Sequence, residues 1–219
     1  MARRSGILGA GLAIAVTRRL CVPLLVAAML ATVPPGTLAA PPLDAVNAAI
    51  DRGDHENAIR LLRPLADQGD ANAQFRLGFM HQLGMGVAVD DVEAATWYRK
   101  AALQAHAEAR YRLGMLYAAG IGVSRNATEA SRWLRLAAHQ GHATAQLELG
   151  LVYAGGVGVR RDDVQAHAWF EIAMARFGAG DLVSRTRAQR ERDSIALRLT
   201  PEQLAEAQRL ATEFQPPSQ

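Results

Sequence analysis

Apolar residues in this chain recur at helical spacing. From Ala71 onward they fall at Ala73, Leu77 and Met80, three or four apart, which lines one face of an α-helix. The pattern returns after 36 residues and again after 36 more. Segments beginning at Ala71, Ala107 and Ala143 align without a gap: ANAQFRLGFMHQLGMGVAVDDVEAATWYRKAALQAH, AEARYRLGMLYAAGIGVSRNATEASRWLRLAAHQGH and ATAQLELGLVYAGGVGVRRDDVQAHAWFEIAMARFG. A fixed period of about 20–50 residues marks stacked units, none of which can bury its apolar face alone.

Each unit predicts two helices around a tight loop. Helix A of the first covers residues 71–83. Its loop, Gly84-Met85-Gly86-Val87, returns as Gly120-Ile121-Gly122-Val123 and Gly156-Val157-Gly158-Val159, with glycine where the reversal needs positive φ. Helix B opens at a cap residue, Asp90, Asn126 or Asp162. Glu93, Glu129 and Gln165 follow three residues later, the spacing of a capping box. Trp97, Trp133 and Trp169 share one position of helix B and read as core. Gly78, Gly114 and Gly150 lie inside helix A, where glycine costs about 1 kcal/mol relative to alanine. Three such glycines predict a close approach by a neighbouring helix, and Ala94, Ala130 and Ala166 suit the same packing.

The flanks follow from the same pattern. Residues 40–70 form a degenerate helix pair: a helix over 43–52, a turn at Gly53-Asp54, and a second helix over 56–68. The three full units occupy 71–178. Residues 179–219 supply capping helices and a frayed tail, with one helix over about 182–197 and another opening at Thr200-Pro201-Glu202-Gln203, a cap with proline at its first helical position. Repeat arrays need end caps with a polar outer face.

The first forty residues are of another kind. Arg3, Arg4, Arg18 and Arg19 are the only charges before Asp44. An apolar run over 20–33 follows, then Pro34, Pro35 and Gly36, then Thr37-Leu38-Ala39 with small residues flanking the leucine. This is the build of a secretory signal peptide, residues 1–39, cleaved after Ala39. The run is shorter than the roughly 20 residues of a membrane-spanning helix, and an uncleaved inner-membrane anchor is the alternative. A periplasmic or secreted protein is expected, with no membrane association beyond the leader.

Export changes the reading of charge. The whole chain is +3 at pH 7. Without the four leader arginines it has 20 basic against 21 acidic residues, and this balance gives no footprint for nucleic acid. The single cysteine, Cys21, lies in the leader, so the mature protein is held by packing alone.

The string A-x-A-x-x-x-L-G-x-x-Y-x-x-G-x-G-V, followed by A-x-x-W-[YF] and A-A, closely resembles the Sel1-like repeat, a relative of the tetratricopeptide repeat, whose own period is 34. The resemblance implies an all-α, right-handed α-solenoid of about 3.5 repeats. It also implies an exported scaffold or adaptor that binds a partner protein or peptide on the concave face, without enzymatic activity. His81 departs from the pattern where Tyr117 and Tyr153 stand, and Ala105 departs where Gly141 stands. A cysteine-rich branch of the family is linked to β-lactam binding or hydrolysis through disulfide-joined helices. An envelope enzyme or cell-wall binder of that kind is the alternative, but the mature chain has no cysteine to support it.

Candidate chemistry changes this little. No GxSxG or SxxK motif occurs, and no Gly-x-Gly continues into a phosphate loop. His139 and His142 are three apart but have no evident third ligand; no metal or cofactor is expected. His106 and His142 share one inter-repeat position, which points to a turn role. Arg185, Arg187, Arg190 and Arg192 are interrupted by Glu191 and Asp193 and read as a solvated face. One pattern carries a functional question. Opposite the inward face of helix A stand Phe75 and Phe79, Tyr111 and Met115, Leu147 and Leu151. These six form either a continuous stripe that binds a peptide or helix, or the contacts between neighbouring A helices.

Overall fold

The computed structural model describes residues 43–178 and 180–216; the expected leader, residues 1–39, lies outside them. Ten helices span the described residues: α1 (Leu43–Asp51), α2 (His55–Asp67), α3 (Ala71–Leu83), α4 (Asp91–Leu103), α5 (Ala107–Ala119), α6 (Ala127–His139), α7 (Ala143–Gly155), α8 (Asp163–Arg176), α9 (Leu182–Ala196) and α10 (Pro201–Glu213). Odd-numbered helices up to α7 occupy the A position and even-numbered ones up to α8 the B position. From α1 to α9 each packs on the next in chain order, so the pairs stack as a solenoid.

Local chemistry sets the helix ends. Helix α3 stops at Gly84, whose φ of 67° lets its amide reach back to the Met80 carbonyl; Gly120 and Gly156 end α5 and α7 in the same way. The loop is then closed by the residue that caps helix B. Asp90, Asn126 and Asp162 donate their amides to the carbonyls of His81, Tyr117 and Tyr153 at 3.0, 2.9 and 3.0 Å. Their side chains accept from Glu93, Glu129 and Gln165 amides. The reciprocal half of the expected capping boxes does not form at these three starts. Glu93 instead accepts from the Trp97 indole at 2.8 Å, and Glu129 pairs with Arg132 at 3.0 Å. Among the described residues, both halves of the box are present only at Thr200, with Gln203.

Within a pair, the interior glycines allow the helices to close. A Cβ on Gly78 would lie 2.7 Å from the Tyr98 ring, and one on Gly150 would lie 2.5 Å from that of Phe170. The second glycine of each loop acts between pairs. Gly86, Gly122 and Gly158 press against the backbone at His55–Glu56, Asp91–Val92 and Ala127–Thr128, the first turn of the preceding B helix. The tryptophans bind the same seams. Trp97 is buried with α1, α2 and α3, and Trp133 with α4 and α5, while Trp169 lies with the end of α6 and with α7. A third device recurs at the start of helix A. Gln74, Arg110 and Gln146 donate to the carbonyls of Ala66, Ala102 and Ala138, each at 3.0 Å, satisfying orphan groups at the end of the preceding B helix.

At the C-terminal end, α9 and α10 both cover α8. Phe214 closes edge-on over Trp169, 5.2 Å between ring centres.

The connections from B to the next A helix turn through positive φ at Gly69, at Gly141 and, between them, at Ala105 with φ 65°. A left-handed alanine is strained by about 1–2 kcal/mol, and glycine adds back about 0.4–1 kcal/mol through the unfolded chain. Ala105→Gly is therefore expected to raise stability by roughly 0.5–1 kcal/mol, measurable as a small upward shift in the urea midpoint. An unchanged or lower midpoint would show that the turn is not strained.

The face of the A helices

The A helices lie side by side, and pairs of side chains link them laterally. Arg76 on α3 donates to Asn47 on α1 at 2.6 Å. The Arg112 guanidinium on α5 lies 5.6 Å over the Phe79 ring of α3. Glu108 on α5 meets His142 at the head of α7 at 2.6 Å, and Glu148 on α7 meets Arg187 on α9 at 3.3 Å. This row runs from α1 to α9 across one face.

The six predicted stripe residues divide between the two alternatives. Phe75 stacks on the His106 ring at 4.7 Å, and Tyr111 stacks on His142 at 4.8 Å. These two fill seams between repeats. Phe79, Met115 and Leu151 are half-buried beside the charged row. Leu147 is 2% exposed and packs in the core with Phe170 and Ala173, so it is withdrawn from any partner. The helical wheel of α7 alone points it outward, but the terminal helices supply a neighbour that covers it.

His106 and His142 are the N-caps of α5 and α7, which gives the expected turn role its form. Their Nδ1 atoms accept from the Ala109 and Ala145 amides at 3.2 and 3.1 Å. With Nδ1 accepting, His142 carries its proton on Nε2 and donates it to Glu108. Sequence reasoning missed Glu108, Arg112 and Glu148. Register is a signal for two of them, since Arg76, Arg112 and Glu148 stand 36 residues apart; Glu108 has no such signal, and charged residues on a helix face read as solvated until their neighbours are known.

Electrostatics across the face are strongly coupled. The hydrogen bond from His142, with help from Arg112, holds the Glu108 carboxyl down to about 2. Burial pushes the Tyr111 phenol up, and Glu148 adds to it. Among the described residues, no group of three or more His, Cys, Asp or Glu side chains is placed to hold a metal ion. What the face offers is ring edges, methyls and charges of both signs, a surface suited to a polar, partly aromatic partner.

A pH dependence follows from the seams. Burial lowers the proton affinity of His106 and of His167, whose unfolded value is about 6.5. The unfolded chain therefore binds more protons as pH drops below that value, and folding stability falls with pH. Glu108 and Asp163, both held at about 2, add a further loss as pH falls through the ordinary carboxylate range. Thermal midpoints should be level between about pH 7 and pH 9 and decline from about pH 6.5 downward. A midpoint that rises between pH 7 and pH 5 would contradict this placement of the histidines.

Comparison with known proteins places the pattern. A family model described as the Sel1 repeat matches residues 48–70, 71–106, 107–142 and 143–175. Among solved structures, the chain is 34% identical, at TM-score 0.62, to a protective antigen of uropathogenic Escherichia coli strains with an SLR fold; the match covers 73% of this chain and 32% of that one. It is 27% identical, at TM-score 0.58, to a Sel1 repeat protein from Oxalobacter formigenes, covering 77% of this chain and 73% of that one. The chain thus spans about a third of the length of the E. coli antigen. No curated protein sequence matches it.

Proposed function

The chain belongs to the Sel1 repeat family, whose members generally act as protein-interaction scaffolds, and on that footing we propose that it is an exported adaptor holding a partner protein or peptide along its A-helix face. The observation that carries the reading is the lateral row of that face. Phe79, Met115 and Leu151 stay half-exposed at equivalent positions, and Arg76, Arg112, Glu108 and Glu148 frame them. A peptide laid across the row meets one ring or methyl group and at least one charge per repeat, at the spacing of the repeats themselves. Export rests on the basic, apolar and small-residue order of residues 1–39.

The test is capture from an envelope extract by the tagged protein. Arg76→Glu with Arg112→Glu reverses two charges on the A-helix face. Arg132→Glu with Arg135→Glu reverses two exposed charges on α6 and serves as the control with equal net charge. A partner lost at least tenfold by the first pair and retained by the second is the expected result. Equal retention by both would move the site off the A-helix face, and no reproducible partner for the parent would sink the adaptor reading. Surface charges contribute little to stability, so both variants should keep the parent's helical content.

A further inference from the structure

The middle repeat lacks a ring that its neighbours carry. In the position after the tryptophan, α4 has Tyr98 and α8 has Phe170, both fully buried over the glycine of their partner helix. Helix α6 has Leu134 there, over Gly114. In the first repeat the Tyr98 hydroxyl donates to Gln82 at 2.8 Å, so phenol and amide together fill the space beside the next A helix. The second repeat shortens both partners, with Leu134 in the register of the tyrosine and Ala118 in that of the glutamine. Met115 likewise stands in the register of Phe79.

What remains is an open cavity of about 180 Å³, walled by Met115, Ala118, Leu134, Leu151 and Val157, with Arg125 and Glu148 also lining it. An apolar cavity of about 150 Å³ takes up a benzene ring, so one six-membered ring fits. Its rim is altered as well. In the third repeat Arg161 pairs with Asp163 at 2.9 Å. In the second, Arg125 holds the register of Arg161 but Ala127 replaces the aspartate. Arg125 is exposed and has no ion-pair partner among the described residues. Glu148, on the α7 side, is engaged by Arg187.

The geometry points to this cavity as an anchor pocket for a tyrosine or phenylalanine side chain of a bound peptide, with an adjacent carboxylate of that peptide paired to Arg125. The inference rests on the scaffold reading and gives it a specific anchor. The occupant is read from the first repeat, where the protein's own tyrosine fills the equivalent space. Buried aromatic anchors carry most of the binding energy of such interfaces, and a rim charge selects among the sequences that bear them.

The probe is N-acetyl-tyrosine, followed by methyl NMR of the protein. The methyls of Leu134, Leu151 and Val157 should shift saturably. N-acetyl-tyrosinamide, without the carboxylate, should bind up to about fivefold more weakly, and N-acetyl-alanine should leave these methyls unmoved. Leu134→Tyr combined with Ala118→Gln rebuilds the first repeat's pair and should abolish the shifts. Arg125→Ala changes only an exposed side chain and should reduce N-acetyl-tyrosine to the affinity of its amide, an arm that stands even if the filled variant folds poorly. Absence of saturable shifts in the parent, or their persistence in a folded filled variant, overturns the pocket. If the pocket binds the probe but filling it leaves partner capture unchanged, a peptide is not its occupant. The scaffold reading is then judged by its own charge reversals.

Discussion

Gly122→Ala is expected to lower the thermal midpoint by roughly 6–12 °C, about 3 kcal/mol for a domain of this size. Two independent effects act at this one position. Its φ is +65°, and a side chain in the left-handed region costs about 1–2 kcal/mol. A Cβ there also runs into the carbonyl of Asp91, at the first turn of the preceding B helix. That obstacle is backbone and has no rotamer by which to yield, so the two repeats must separate, an overpacking penalty of about 1–3 kcal/mol. Gly120→Ala is the natural control. It has the same handedness, with φ +75°, but its nearest neighbour is the Arg125 side chain of its own loop at 3.1 Å. Only the strain term applies, so a loss of about 1–2 kcal/mol is expected. Equal losses at the two glycines would mean that the second one does not set the distance between repeats.

The same loop marks the limit of what the sequence discloses. Three gapless copies average out local ambiguity, so the bounds of α3, the B-helix caps, the degenerate α1–α2 pair and the Thr200 cap all follow from pattern and propensity. Glycine at positions 78, 114 and 150 announced a close neighbour, and the register supplies that neighbour in Tyr98, Leu134 and Phe170. The partner of Gly122 was not legible, because positive φ alone already accounts for a glycine in a turn. The spacing makes Glu93 the second half of a capping box, but the Trp97 indole one turn away competes for its carboxylate and wins. The candidate site was legible as a set of positions but not as surface. A helical wheel gives the direction of Phe75, Tyr111 and Leu147 from their own helix, whereas His106, His142 and the C-terminal helices decide whether anything covers them. The cavity beside Leu134 is visible in the sequence only as two small residues in the register of Tyr98 and Gln82. Its meaning depends on those two residues touching, which spacing does not reveal.

Trp133→Ala is expected to cost about 3–5 kcal/mol, the range for removing a buried tryptophan. Its consequence should depend on where in the stack it falls. Trp133 is 3% exposed and lies among Ala94, Tyr98 and Ala101 of α4 and Leu113 and Leu116 of α5, so it bridges the first full repeat to the second. Its indole nitrogen is buried without a partner, and truncation removes that unsatisfied donor, which places the loss toward the lower end of the range. Trp97 is 2% exposed and sits with Val46, Leu62 and Leu77, so it joins α1 and α2 to the array. Stability in a stack is a sum of repeat terms and nearest-neighbour interfaces. Trp97→Ala should therefore release only the terminal pair: amide exchange protection falls in α1 and α2 and persists in α5 to α8. Trp133→Ala breaks an interior interface, so protection should fall throughout α1 to α4 while α7 to α10 stay closed against one another. Hydrogen exchange resolved by helix distinguishes the two patterns. A uniform loss of protection across every helix in both variants would show one cooperative block, and the seams would then not be the units through which this chain yields.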